Sequence, residues 1–183
     1  MQAIIQSFLL WDIKYTAKLK ISENPKWRWF LATLLAHSGD SWYCLGGLLI
    51  IWLLNNGEWH RITAALGSGT FLLAIIIIAL KFSIKRRRPE GEWGEIYRNT
   101  DPHSFPSGHA TRVFFLASMA WGIAPTWFAV LLTIWAPFVS ISRVMTGVHY
   151  LSDIMAGVLI GWGLGKLALI LLPEIMHIFP FIF

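Results

Sequence analysis

Long apolar runs broken by short polar stretches dominate the chain, and five of them read as membrane-crossing helices. A crossing needs roughly 20 mainly apolar residues. The first run goes from Trp27 to about Leu54 and is interrupted by His37-Ser38-Gly39-Asp40-Ser41. The second covers Ile62 to about Leu80, the third Ser107 to near Ile123, the fourth about Thr126 to Arg143, and the fifth Val148 to Pro173. Asn55-Asn56-Gly57 and Ala124-Pro125 are turn signals between them. Pro106 suits the first turn of a helix and Gly147 a tight connection. Gly39-Asp40-Ser41 is expected to split the first run. Trp27–His37 would then be an interfacial or half-buried segment, and Asp40 or Ser41 would cap the span that follows. Asp40 reads as a cap or packing residue rather than a catalytic acid.

Residues 1–22 are too polar to span. Ile4, Ile5, Phe8 and Leu9 recur at helical spacing, opposite Lys14 and Lys18 further along. That pattern predicts an amphipathic helix lying on the membrane surface. It lacks the basic start and small-residue cleavage site of a signal peptide. The expected fold is all-α: a polytopic membrane helix bundle of about five to six transmembrane helices plus the N-terminal amphipathic helix, in a single domain over residues 1–183. Gly157, Gly161 and Gly165 form a small-xxx-small ridge on the fifth span, and Gly67 and Gly69 lie on the second. Both are expected to let helices pack closely in lipid. A homodimer through the ridge is allowed by this pattern but not required.

Composition sharpens the class. Of 183 residues, 56% are hydrophobic and only 14% charged, against about 25% charged in a soluble domain. Mean hydropathy is +0.58. These values exclude a disordered chain, a coiled coil and almost any soluble enzyme. A single cysteine, Cys44, excludes a disulfide framework and a cysteine-based zinc site. The 11 tryptophans fit belts at the lipid–water boundary.

Five crossings bring the end of the second span, the start of the third, the end of the fourth and the start of the fifth to one side of the membrane. Thirteen of the 15 Lys and Arg residues belong to that side; only Arg61 and Lys166 belong to the other. Membrane orientation by positive charge accounts for Lys85, Arg86 and Arg87. A nucleic-acid surface does not fit, because the cluster abuts a span and lacks interleaved aromatics. Lys81, Arg88 and Arg143 differ: they sit at span ends beside histidines and an aspartate, where ionisable groups are costly and mark function.

Three short segments carry the chemistry. His149 and Asp153 are four apart at a helix start and share a face. A carboxylate there can fix the imidazole tautomer and leave a nucleophilic nitrogen. In Pro106-Ser107-Gly108-His109, a helix N-terminus supplies free N–H groups for an anion, and His109 can protonate a leaving oxygen. Lys81 and Arg88 lie seven apart, about two helical turns, with Arg suited to bidentate phosphate binding. Together these groups describe a phosphoryl-transfer site. A metal site of His109, His149 and Asp153 is the rival, but three neighbouring cations match an anion better than a divalent metal.

The segments match a known signature. KFSIKRRRP contains K-x6-RP from Lys81 to Pro89; Pro106 to His109 reads PSGH; and SRVMTGVHYLSD contains SR-x5-H-x3-D through Ser142, Arg143, His149 and Asp153. The chain thereby resembles the type 2 phosphatidic acid phosphatase superfamily. The resemblance implies an integral-membrane, metal-independent lipid phosphatase without a cofactor. His149 would form a phosphohistidine, Asp153 would orient it, and His109 would protonate the leaving group. Lys81, Arg88, Ser107, Gly108 and Arg143 would hold the phosphoryl oxygens. The substrate would be a membrane lipid phosphate such as phosphatidic acid, phosphatidylglycerophosphate or undecaprenyl diphosphate. The alternatives are a sugar-phosphate phosphatase or a lipid phosphotransferase of the same family, and a non-enzymatic anion transporter. The transporter leaves the His149–Asp153 pair and His109 unexplained. The family's haloperoxidases are soluble, which this composition opposes.

Family analogy implies a bacterial inner membrane with the active face extracytoplasmic. Charge counting favours the cytoplasm, even after Lys81, Arg88 and Arg143 are set aside as site residues. Within the active-side loop, residues 85–105, Trp93 and Tyr97 are expected to form a lid or to anchor at the interface, and His103 to be a plain loop residue. Arg112 would reach a headgroup or snorkel.

Overall fold

The computed structural model describes residues 2–90 and 101–183. Among them are seven α-helices: α1 (Gln2–Leu19), α2 (Lys26–Ser38), α3 (Ser41–Leu54), α4 (Glu58–Ile84), α5 (Gly108–Ile123), α6 (Thr126–Met145) and α7 (Leu151–Ile178). No strand is described; a lone antiparallel bridge joins Arg87 and His103. Trp93, Tyr97 and Arg98, and with them the lid expectation, lie outside the described residues.

The helices α4, α6 and α7 are long and apolar enough to cross a membrane. The other two expected spans are shorter: α3 has 14 residues and α5 has 16. At about 1.5 Å per residue they reach roughly 21 and 24 Å, short of a ~30 Å hydrocarbon core. The shortfall has different consequences for the two. Helix α5 lies at the centre of the bundle, packed on α4, α6 and α7, so its length is set by its neighbours rather than by lipid. Helix α3 packs on α4 and buries none of its residues. The first apolar run breaks at Gly39-Asp40 as its sequence predicts. The fifth does not stop at Pro173 but continues to Ile178, since the freed backbone group of a membrane-helix proline is satisfied by its surroundings.

The core follows from which faces meet. Ile62, Leu66, Leu73 and Ile77 of α4 bury against Phe115, Leu116 and Met119 of α5. Phe71, Ile75 and Ile78 of α4, Leu131, Ile134 and Phe138 of α6, and Leu159 and Ile170 of α7 stay exposed. Large apolar side chains turned outward along the same helices that build the core make a surface suited to lipid.

The glycine ridge of α7 lies against α5. A Cβ at Gly161 would clash with the Thr111 carbonyl oxygen, and one at Gly165 would sit 2.6 Å from Ser118 Cβ. Packing within the chain therefore uses the ridge. On α4 the expectation holds for Gly69, which faces Phe115, but not for Gly67, which faces open space. Gly161→Ala should cost about 1–3 kcal/mol by overpacking against backbone that cannot yield. Gly163→Ala, with nothing within 4 Å, should be neutral or gain up to about 1 kcal/mol of helix propensity. Melting the two variants in detergent measures the difference.

Helix α1 departs from a simple surface helix. Phe8, Leu9, Leu10, Trp11 and Ile13 are exposed, as an interfacial helix requires, but Asp12 and Thr16 are buried. Asp12 Oδ1 accepts the Ser152 N–H at 3.0 Å, and Thr16 Oγ1 accepts the Leu151 N–H at 3.0 Å. These are first-turn donors of α7 that lack helical acceptors. The polar side of α1 thus caps another helix.

Candidate active site

The charged ends of α4 to α7 converge. Helix α6 ends at Met145, and Gly147 adopts φ +73°, which a side chain would strain. The turn presents His149, only 1% exposed, ahead of α7. Arg88 arrives from the segment after α4. Its Nη1 donates to the Val148 carbonyl at 2.9 Å and lies 3.2 Å from His149 Nε2. Lys81 and Arg143 are buried beside them. Burial, then the charges of Arg88, Arg143 and Lys81, push the His149 imidazole well below its ordinary pKa. A neutral imidazole keeps the lone pair that a nucleophile needs.

Asp101, which sequence reasoning passed over, shows what this corner holds. Its carboxylate accepts from Arg88 Nη2 at 2.8 Å and from Lys81 Nζ, and its carbonyl accepts from Arg88 Nε at 2.7 Å. One anionic oxygen between a guanidinium and an ammonium is the arrangement a phosphoryl oxygen would find.

Asp153 is near His149 but has other partners. His149 Nδ1 lies 3.5 Å from Asp153 Oδ2 and makes no hydrogen bond among the described residues. Asp153 Oδ2 accepts the Tyr150 N–H at 2.9 Å, and Oδ1 accepts from Arg86 Nη1 at 2.7 Å. Arg86 Nη1 also donates to Ser152 Oγ at 2.6 Å, Nη2 donates to Asp12 Oδ2 at 2.6 Å, and the guanidinium sits 4.2 Å from the Tyr150 ring centroid. Reading Arg86 as a mere orientation charge is therefore corrected: its side chain is spent inside the protein, between two fully buried carboxylates.

The second motif differs in detail from expectation. Pro106 precedes α5 instead of opening it. Ser107 is the N-cap, with its hydroxyl accepting the Ala110 N–H at 3.4 Å. Its own N–H donates to the Asp153 carbonyl at 3.1 Å, tying α5 to α7. The Ser107 N–H is therefore occupied, and the α5 start offers the N–H groups of Gly108 and His109.

His109 does not reach the others through a described bond. Its Nε2 lies 2.5 Å from Asp40 Oδ1, and Asp40 Oδ2 lies 2.9 Å from His37 Nδ1. Asp40 does occupy the N-cap position of α3, but its side chain makes no cap bond; the cap reading is corrected. Burial alone would raise the Asp40 carboxyl, but hydrogen bonds and charge from His109 and His37 outweigh it and hold the pKa at about 2. Arg112, expected to meet a headgroup or snorkel, donates to the Gly39 carbonyl at 2.6 Å. His103 packs edge-on against Phe82, as a loop residue.

A cleft of about 360 Å³ opens between α3, α4 and α5. Lys81, Asp101, Gly108, His109 and Arg112 line its polar end, and Leu73, Ile77 and Ile78 its apolar end. His149 and Arg143 do not line it; Asp101, bonded to Arg88, joins the cleft to His149.

The sequence profile of the PAP2 superfamily matches residues 62–176. The lipid A 1-phosphatase of Porphyromonas gingivalis is 30% identical over 113 residues, 60% of this chain but only 24% of that protein. The decaprenylphosphoryl-5-phosphoribose phosphatase of Mycobacterium tuberculosis is 29% identical over 143 residues, 73% of this chain and 74% of that protein. Two crystal structures share the fold. Aquifex aeolicus LpxE has TM-score 0.64 and 21% identity, covering 85% of this chain and 93% of that one. The first transmembrane PAP2-type phosphatidylglycerolphosphate phosphatase from Bacillus subtilis has TM-score 0.67 and 22% identity, covering 92% and 85%.

Proposed function

The chain belongs to the PAP2 superfamily, and we propose that it is an integral-membrane phosphatase acting on a lipid phosphate monoester or diphosphate through a phosphohistidine. The observation that carries this reading is the buried His149 imidazole, kept neutral, with Nε2 3.2 Å from an Arg88 guanidinium that shares an anionic oxygen with Lys81.

In the first step the His149 Nε2 lone pair attacks phosphorus and the bond to the leaving oxygen breaks. His109 gives that oxygen its proton. Lys81, Arg88 and Arg143, with the N–H groups at the α5 start, hold the charge on the phosphoryl oxygens. In the second step water gives a proton to His109 and its oxygen to phosphorus. The N–P bond breaks and its electron pair returns to Nε2. Through both steps the Nδ1 proton stays on the ring, and Asp153 Oδ2 accepts a hydrogen bond from it; a small imidazole rotation closes the 3.5 Å separation, and such bonds commonly tighten when substrate binds.

The cleft, cationic at one end and apolar at the other, favours an amphiphile over a free sugar phosphate. The relatives named for lipid A and for decaprenylphosphoryl-5-phosphoribose support a lipid-borne phosphate; the outward face of a bacterial inner membrane is the placement we propose for it. Purified protein should release phosphate from at least one of phosphatidic acid, phosphatidylglycerophosphate and undecaprenyl diphosphate with chelator present, and intact cells should do the same with a membrane-impermeant short-chain analogue. Release only from free sugar phosphates, or transfer to an alcohol without hydrolysis, would replace the proposal with one of its family alternatives. Release by broken but not intact cells would reverse the orientation.

A further inference from the structure

The α2–α3 link is held more firmly than a connection between two surface-facing helices requires. Arg112 of α5 donates to the Gly39 carbonyl at 2.6 Å, and Trp135 Nε1 of α6 donates to Ser38 Oγ at 3.0 Å. Gly39 lies so close to α6 that a Cβ would meet Val139 Cγ1 at 2.6 Å. These tethers fix the next residue, Asp40, against His109. Asp40 sits where an aspartate would ordinarily cap α3, and its side chain is turned away from that task. A local rule broken in this way points to a function that outweighs it. The side chains of His109 and Asp40 are 16% and 26% exposed, so their charge-assisted bond is only partly screened by water.

We propose that Asp40 is a positioning residue for His109, its carboxylate orienting the imidazole and balancing the positive charge that His109 carries when it protonates the leaving oxygen. The proposal rests on the reading of His109 as the acid. It gives each of the two imidazoles an aspartate: Asp153 in the first turn of the helix that His149 immediately precedes, and Asp40 from a separate element 69 positions away from His109. Arg112, one turn beyond His109, adds a cation on the same side, which makes a fixed counter-charge useful.

Leaving-group chemistry tests it. An alkoxide leaves poorly and needs its proton; a nitrophenolate leaves without one. For a two-step reaction through a covalent intermediate, kcat/KM reports only steps up to departure of the first product. Asp40→Asn should therefore lower kcat/KM for dodecyl phosphate by roughly 10²-fold, within the range of general acid catalysis. For 4-nitrophenyl phosphate the loss should stay below about fivefold. Taking the ratio of the two substrates on one preparation cancels any loss of folded protein. An equal loss on both substrates, or none on dodecyl phosphate, overturns the role of Asp40. His109→Ala, run alongside, separates the two levels. If it too loses both substrates equally, the acid assignment fails and carries the proposal with it. If it is selective while Asp40→Asn is not, the proposal alone fails.

Discussion

His149→Ala should lower phosphate release by at least roughly 10⁴-fold, the scale seen when a covalent nucleophile is removed, or about 5 kcal/mol of transition-state stabilisation. The cradle is built by other residues: Arg88 and Lys81 hold an anionic oxygen through contacts of their own. Binding of inorganic phosphate or of product lipid should therefore stay within roughly threefold of wild type, because the lost interaction belongs to the reacting atoms. Radiolabelled substrate quenched in denaturant should leave acid-labile, base-stable label on the wild-type chain and none on the variant. Turnover by the variant at the parental rate would remove His149 from the chemistry. Loss of phosphate binding together with activity would make its role structural.

Arg86→Met should destabilise the fold by about 3–5 kcal/mol, the cost of stripping the partner from a buried charge. The guanidinium lies between Asp12 and Asp153, both with fully buried side chains, and is itself 17% exposed. Methionine keeps much of the stem but leaves two carboxylates facing each other without a cation. The melting temperature in detergent should fall by roughly 10 °C. Activity should fall with it, since Asp153 is the group next to His149 and α1 is clipped to the start of α7 through Asp12. In the Arg86→Met background, Asp12→Asn should cost less than it does alone, because one of the two opposed charges is then gone; a double-mutant cycle reads that coupling. If Arg86 served only membrane orientation, Arg86→Met would melt like the wild type.

Both predictions concern one end of the bundle, and the two residues were unequally visible in the sequence. His149 stands in a stretch whose spacing to Arg143 and Asp153 is local and carries its own chemical meaning. Arg86 stands in a run of four basic residues after a span, where membrane orientation is sufficient reason for a positive charge. Its partners lie 74 and 67 positions away. Asp40 was hidden in the same manner. An aspartate before a helix has a ready local use as a cap, and nothing near it in sequence names His109 as its partner. Asp101, amid loop residues, carried no signal at all.

Hydropathy and motif spacing alone determined the helical membrane class, the division of the chain into its apolar helices, and the three segments that meet at the charged end. Both kinds of information repeat over a few residues, so a linear reading captures them. Tertiary structure alone decided which carboxylate each charged group faces. It turned Asp40 to His109, put Arg86 between Asp12 and Asp153, and set Asp101 on Lys81 and Arg88. It also seated Gly161 on the Thr111 carbonyl. The physical reason is burial. A charge or polar group withdrawn from water must find its partner wherever the packed helices bring one, and that choice belongs to how the helices pack, not to the order of residues along any one of them.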